Sequence, residues 1–147
     1  GINSRKIAAR KVENVESIHA EVGSDWVADN SLLLQGSDVL MTEVLEHMPR
    51  DRAGSLLVSL LKSEARKIVV TVPNANFNKH YGLEGAFRHD DHHFEPTFED
   101  WCDDMVVLAA EYGWDVDNVP IGDVVEDQSV STMSVFTQRE NRAVTGA

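Results

Sequence analysis

Cys102 is the single cysteine in 147 residues. It can close no internal disulfide and build no thiolate cage, so disulfide scaffolds are excluded and a reducing cytoplasm is the expected setting. Positive charge is also scarce. Thirteen Lys and Arg stand against 25 Asp and Glu, a formal charge of −12. Wrapping long duplex nucleic acid by charge needs the opposite balance, although gripping one strand end through a bound metal does not. No apolar run approaches the roughly 20 residues that span a bilayer, and the N-terminus carries no secretory signal, so no membrane partner is expected. A Gly-rich phosphate loop, a G-x-S-x-G elbow and internal repeats are all missing. The chain opens on Gly1 rather than Met, from which we expect a segment that was removed or never included.

What is present suits one globular domain: 42% hydrophobic and 26% charged residues, long enough to bury roughly 70% of the surface of the unfolded chain. Asn3 or Ser4 can cap a helix to about Val15. Ser17–Val22 reads as a strand, and Trp26–Gly36 as a loop with a helical turn. Asp38–Met41 reads as a buried strand running into Thr42–His47. Pro49 opens a helix to about Ala65, with Leu56, Leu57, Leu60 and Leu61 at helical spacing. The β-branched run Lys67–Val72 is expected to be a strand covered on both faces. Residues 74–96 form a long polar loop holding four of the six histidines. Thr97 caps a helix that ends at Gly113 and carries Phe98, Trp101, Met105, Leu108 and Tyr112 on one face. Strands at Trp114–Val119 and Ser129–Thr137 follow, then a loose polar tail over 139–147. The alternation predicts an α/β sheet with parallel strands and an antiparallel C-terminal edge.

Two clusters can do chemistry. Glu43, Glu46 and His47 follow a predicted buried strand, where open α/β sheets place their ligands. In a helical turn they would sit at i, i+3 and i+4 and face one point. Two carboxylates and an imidazole suit a hard divalent cation such as Mg²⁺ or Mn²⁺. The loop Arg88-His89-Asp90-Asp91-His92-His93 follows another buried strand and can bring a further imidazole to the same edge. Read blandly, the carboxylates are helix-dipole partners and the histidines decorate a polar loop. Cys102 reads as a packed thiol and the Phe98/Trp101/Tyr112 stripe as helix core, while Trp26 and Trp114 fit either core or a stacking surface.

The run Asp38–Met48 (DVLMTEVLEHM), followed by a helix and then VTVPN, resembles class I S-adenosylmethionine-dependent methyltransferases. Glu43-Val44-Leu45-Glu46-His47, then Val72-Pro73-Asn74 with Phe77-Asn78, then Arg88 and Asp91-His92-His93-Phe94-Glu95, resemble in order and spacing the HEN-type enzymes. These methylate the 2′-oxygen at the 3′ end of small RNAs. The resemblance covers about Gly1 to Gln138 and implies a Rossmann-like methyltransferase domain over 1–138. It also implies S-adenosylmethionine as donor, an RNA 3′ end as partner, and a Mg or Mn ion held by Glu43, Glu46, His47 and His92. It places Asn3 and Ser24 against the donor, Arg88 and Asn74 against the substrate, and His47 as a proton acceptor. His89 and His93 match no required position.

Three departures accompany it. Pro96 replaces the tryptophan expected after Phe-Glu, and Asn3 stands where an acidic residue grips the donor ribose. The family's first strand and its Gly-rich donor loop have no counterpart, since Gly1-Ile2 aligns with the end of the second strand. The sheet is therefore expected to be N-terminally incomplete, with a missing segment or a partner chain completing it. Two other readings stay open: a small-molecule methyltransferase of the same class, and a catalytically incomplete methyltransferase-like binding module.

Overall fold

The computed structural model describes residues 14–83 and 85–140, and the β-branched run Lys67–Pro73 is an interior strand of its sheet. In chain order the α-helices and strands are α1 (Ser24–Asp29), α2 (Ser31–Leu34), β1 (Asp38–Thr42), α3 (Arg50–Lys62), β2 (Lys67–Pro73), α4 (Phe98–Tyr112), β3 (Trp114–Val125) and β4 (Gln128–Gln138), with 3-10 helices at Leu45–His47 and, inside the expected 74–96 loop, at Ala75–Tyr81. The strand order is β1-β2-β4-β3. β1 and β2 are parallel, and β4 lies antiparallel between β2 and β3. Three strands therefore point one way and β4 points back, the expected mostly parallel sheet with an antiparallel C-terminal pair. The outer edge of β1 pairs with no strand among the described residues.

One face of the sheet carries the core. Ile68, Val70 and Val72 of β2 meet Phe136 of β4 and the leucines of α3, with Trp101, Met105 and Ala109 from α4. Leu56, Leu57, Leu60 and Leu61 are each at most 2% exposed, and burial of such a side chain is worth about 1.5–3 kcal/mol. Buried indoles need partners for their N–H groups. Trp114 donates to the Leu61 carbonyl at 2.7 Å and Trp101 to the Ser134 hydroxyl at 2.8 Å. Both tryptophans are core residues.

Several expectations need correction. Ser17–Val22 is not a strand: it pairs with nothing among the described residues, and Ile18 and Val22 are exposed. Apolar residues without a ladder partner make no strand. Trp26–Gly36 holds two short helices rather than one turn in a loop. α3 stops at Lys62, short of Ala65, because Ser63 is extended and its hydroxyl takes over local bonding, donating to the Leu60 carbonyl and accepting from the Ala65 N–H. The second face of β2 is only partly covered among the described residues: Val69 is half-buried and its β1 neighbour Leu40 is exposed. The helix proposed to begin at Asn3 or Ser4 lies outside the described residues through 13, as do 141–147 of the tail. No helix among the described residues is long and apolar enough to cross a membrane.

β3 carries a bulge between Ile121 and Val124, with Gly122 at φ +84°. A Cβ there would lie 2.1 Å from Val130 Cγ1. Gly54 in α3 is the opposite case, since a Cβ meets nothing within 4 Å. Gly122→Ala should destabilise the protein by about 1–3 kcal/mol through strain and overpacking. Gly54→Ala should stabilise it by about 0.5–1 kcal/mol. Chemical denaturation of both variants checks the opposite signs.

Candidate metal centre

β1 ends at Thr42, and the chain turns sharply at Glu43, a non-glycine residue at φ +53°. The Glu43 N–H is fastened to Thr71 of β2, with both the carbonyl and the hydroxyl oxygen at 3.1 Å. Such a left-handed residue costs about 1–3 kcal/mol and persists only where its surroundings hold it. Leu45–His47 then forms a 3-10 turn before Pro49 leads into α3. The chain thus passes Glu43, Glu46 and His47 through a bend and a 3-10 turn, not the continuous α-helical turn expected to aim all three at one point, and Glu43 does not join the others.

Among the described residues, Glu46, His47 and His92 each bring a ligand atom to within 4.8 Å of the others'. His47 Nε2 lies 3.8 Å from Glu46 Oε1, and the His47 and His92 rings meet edge-on with centroids 4.6 Å apart. Glu43 lines the same cavity of about 360 Å³ but is not one of this close trio. Its Oε1 accepts a hydrogen bond from the Ser131 hydroxyl at 2.8 Å.

Glu46 is the telling residue. It is 1% exposed, and among the described residues no donor group reaches its buried Oε2. Burial pushes its carboxyl up from 4.5 to about 7, opposed by a backbone hydrogen bond and His47 and helped by the Glu43 charge and a hydrogen bond between the Glu43 and Glu46 carboxyl groups. A buried acceptor left unmade is expensive, and a cation would satisfy it. An orphaned carboxylate oxygen beside two imidazoles therefore fits a divalent ion chemically.

The histidine loop is clamped over this point. The His93 N–H donates to the Glu46 carbonyl at 2.7 Å, and the Ala75 N–H to the Pro96 carbonyl at 2.9 Å. His93 itself is exposed and outside the trio; His89, also outside it, lines the cavity, accepts the His92 N–H on its carbonyl at 3.2 Å and meets the His92 ring with centroids 5.0 Å apart.

Arg88 lines the cavity, yet its Nε donates to Asn78 Oδ1 and its Nη2 to the carbonyls of Asn74 and Val130. Asn74 is buried away from the cavity lining, its amide committed to the Ser129 carbonyl and the N–H groups of Asn76 and Phe98. Ser24 lines a second cavity of about 590 Å³, together with Gly23, Trp26 and His47. His47 therefore borders both cavities. Asn3 lies outside the described residues.

The partners that sequence reasoning missed are Thr71, Asn78, Asp91, Glu95 and Ser131. Glu95 sits three residues after His92, a visible spacing, whereas Thr71 and Ser131 reach the site only through strand pairing.

No family model matches the chain, and neither does any curated protein. Solved structures do. The small RNA methyltransferase HEN1 is 25% identical over 76% of this chain, with a TM-score of 0.66. The methyltransferase domain of bacterial CtHen1 is 31% identical over 69%, with a TM-score of 0.58. A chain of the Pnkp1/Rnl/Hen1 RNA repair complex is 25% identical over 92%, with a TM-score of 0.65. This chain covers 15%, 52% and 29% of those chains, less than two thirds of each. The fold is that of the class I S-adenosylmethionine-dependent methyltransferases, and the resemblance to the HEN1 methyltransferases read from the sequence extends to the structure.

Proposed function

We propose that this chain handles metal and substrate in an S-adenosylmethionine-dependent methyltransferase acting on the 2′-oxygen at the 3′ end of RNA. The observation that carries the proposal is the orphaned Glu46 Oε2 beside His47 and His92. The likeness to a small RNA methyltransferase and to a chain of an RNA repair complex supports RNA as acceptor.

Glu46, His47 and His92 would hold a Mg or Mn ion, with Glu43 beside them, restrained by Ser131. When bound, the ion supplies Lewis acidity and a point of attachment for vicinal 2′- and 3′-hydroxyls. The chain's own work is placement: the bend at Glu43 and the clamped histidine loop fix the donor atoms before substrate arrives. The methyl donor would occupy the cavity lined by Gly23 and Ser24. Because His47 borders both this and the metal cavity, donor and acceptor would lie on either side of one imidazole. A proton-accepting role for His47 competes with ligation, because Nε2 can serve only one of them at a time. Arg88 would serve the substrate as part of its cavity wall, and Asn74 only through the carbonyl that anchors Arg88.

Glu46→Gln separates fold from function. A carboxyl raised to about 7 destabilises the metal-free fold increasingly as pH rises from 4.5 through that value, because the folded form resists losing the proton. The glutamine cannot ionise. At about pH 8 the variant should therefore melt roughly 3–8 °C above the metal-free wild type, and at about pH 4 at nearly the same temperature. It should also lose Mn²⁺ binding. Melting curves and calorimetry at both pH values check this.

Substrate choice is tested with three RNA oligonucleotides differing only at the 3′ end. In Mn²⁺, the 2′,3′-diol end should bind at least about tenfold more tightly than a 3′-phosphate or 2′-deoxy end, a gap of about 1.4 kcal/mol. EDTA should erase the preference. Equal binding of all three ends, unaffected by EDTA, would contradict the proposal and favour a small-molecule methyltransferase or a module with no catalytic metal.

A further inference from the structure

The Nδ1 atoms of both candidate imidazole ligands end on carboxylates from one short loop. Asp91 Oδ2 lies 2.8 Å from His47 Nδ1, and Glu95 Oε2 lies 2.5 Å from His92 Nδ1. The two carboxylates sit in different surroundings: the Asp91 side chain is 70% exposed and that of Glu95 fully buried.

Glu95 is itself held in place. Asn78 Nδ2 donates to its Oε1 at 2.6 Å, and the Arg88 N–H donates to its Oε2 at 2.9 Å. Arg88 Nε in turn donates to Asn78 Oδ1 at 2.6 Å, which fixes the direction of that amide. The Arg88 guanidinium is anchored on the carbonyls of Asn74, just after β2, and Val130 in β4, at 2.8 and 2.7 Å. A continuous set of hydrogen bonds thus runs from the sheet to the His92 ring.

A carboxylate offers only acceptors, so each of these must receive an N–H from Nδ1. A neutral imidazole protonated at Nδ1 keeps its lone pair on Nε2. We infer that Glu95 and Asp91 are positioning residues that fix His92 and His47 in the Nδ1-protonated tautomer, so that both Nε2 lone pairs face one cation together with Glu46. The inference rests on the metal reading above. It explains why the loop carries Asp91 and Glu95 as well as its histidine, and why Arg88 is committed to the protein interior. Carboxylates in this outer position hold a metal-binding imidazole in orientation and raise its basicity.

The experiment begins with the metal-free 147-residue chain at about pH 8. Two-bond ¹H–¹⁵N correlation spectra of the side chains should show the proton on Nδ1 of both His47 and His92. Glu95→Gln permits either tautomer, because its amide can accept from Nδ1 or donate to it. It should shift His92 toward a mixture and weaken Mn²⁺ binding about 10–100-fold while the far-ultraviolet circular dichroism is unchanged. Asp91→Asn, at an exposed position where folding is not at stake, should act on His47 in the same direction but more weakly. His93→Ala should leave both readouts at the wild-type value.

A wild-type His92 protonated on Nε2 would overturn the inference whatever the metal does. So would a Glu95→Gln variant that binds Mn²⁺ as tightly as the wild type. A wild type with the expected tautomers but no Mn²⁺ binding would instead overturn the metal reading, and the inference with it.

Discussion

A carboxylate oxygen shut away from water with nothing to bind is among the costlier features a small domain can carry. Among the described residues no donor group reaches Glu46 Oε2. Its surroundings make sense when built outward from it: two imbalanced costs, a buried carboxyl group and a left-handed glutamate three residues earlier, lie within one turn of chain. Folding energy alone gives no reason to keep either. A divalent ion would reverse the sign of the first cost, since the groups that repel one another when the site lacks a cation become its ligands.

The rest of the molecule holds that arrangement still. β1 and β2 are parallel neighbours, so their carboxyl ends open onto the same edge, and Thr71 of β2 receives the N–H of Glu43 directly. β4 returns antiparallel along β2 and brings Ser131 to the Glu43 carboxylate. The histidine loop is tied down by main-chain bonds, His93 to Glu46 and Ala75 to Pro96. A loop fixed at both ends and at its middle loses little further freedom when it ligates an ion, which is what preorganisation contributes to a site.

Much of this was legible before the fold was known, and the limits are instructive. The leucine spacing of α3, the Thr97 and Gly113 ends of α4 and the β-branched β2 are local signals, and local signals survive into the structure. Of the four residues expected to converge, Glu46, His47 and His92 come together and Glu43 does not join them, because the helical spacing invoked for it is not how the chain runs there. Ser17–Val22 failed because alternation predicts a strand only if a neighbour exists to pair with it. Ser63 ended α3 early through a side-chain bond that periodicity does not register. Asp91 and Glu95 stood in view beside His92, but their roles depend on which ring nitrogen each one meets, and that is decided by the loop's path. Thr71 and Ser131 reach the site only through sheet register, far along the chain from Glu43.

The central claim is that Glu46, His47 and His92 share one cation, and anomalous scattering tests it most directly. Crystals of the chain grown with Mn²⁺ should give a single strong anomalous peak within coordination distance of Glu46, His47 and His92. A peak located elsewhere, or none at this point at saturating Mn²⁺, would contradict the account.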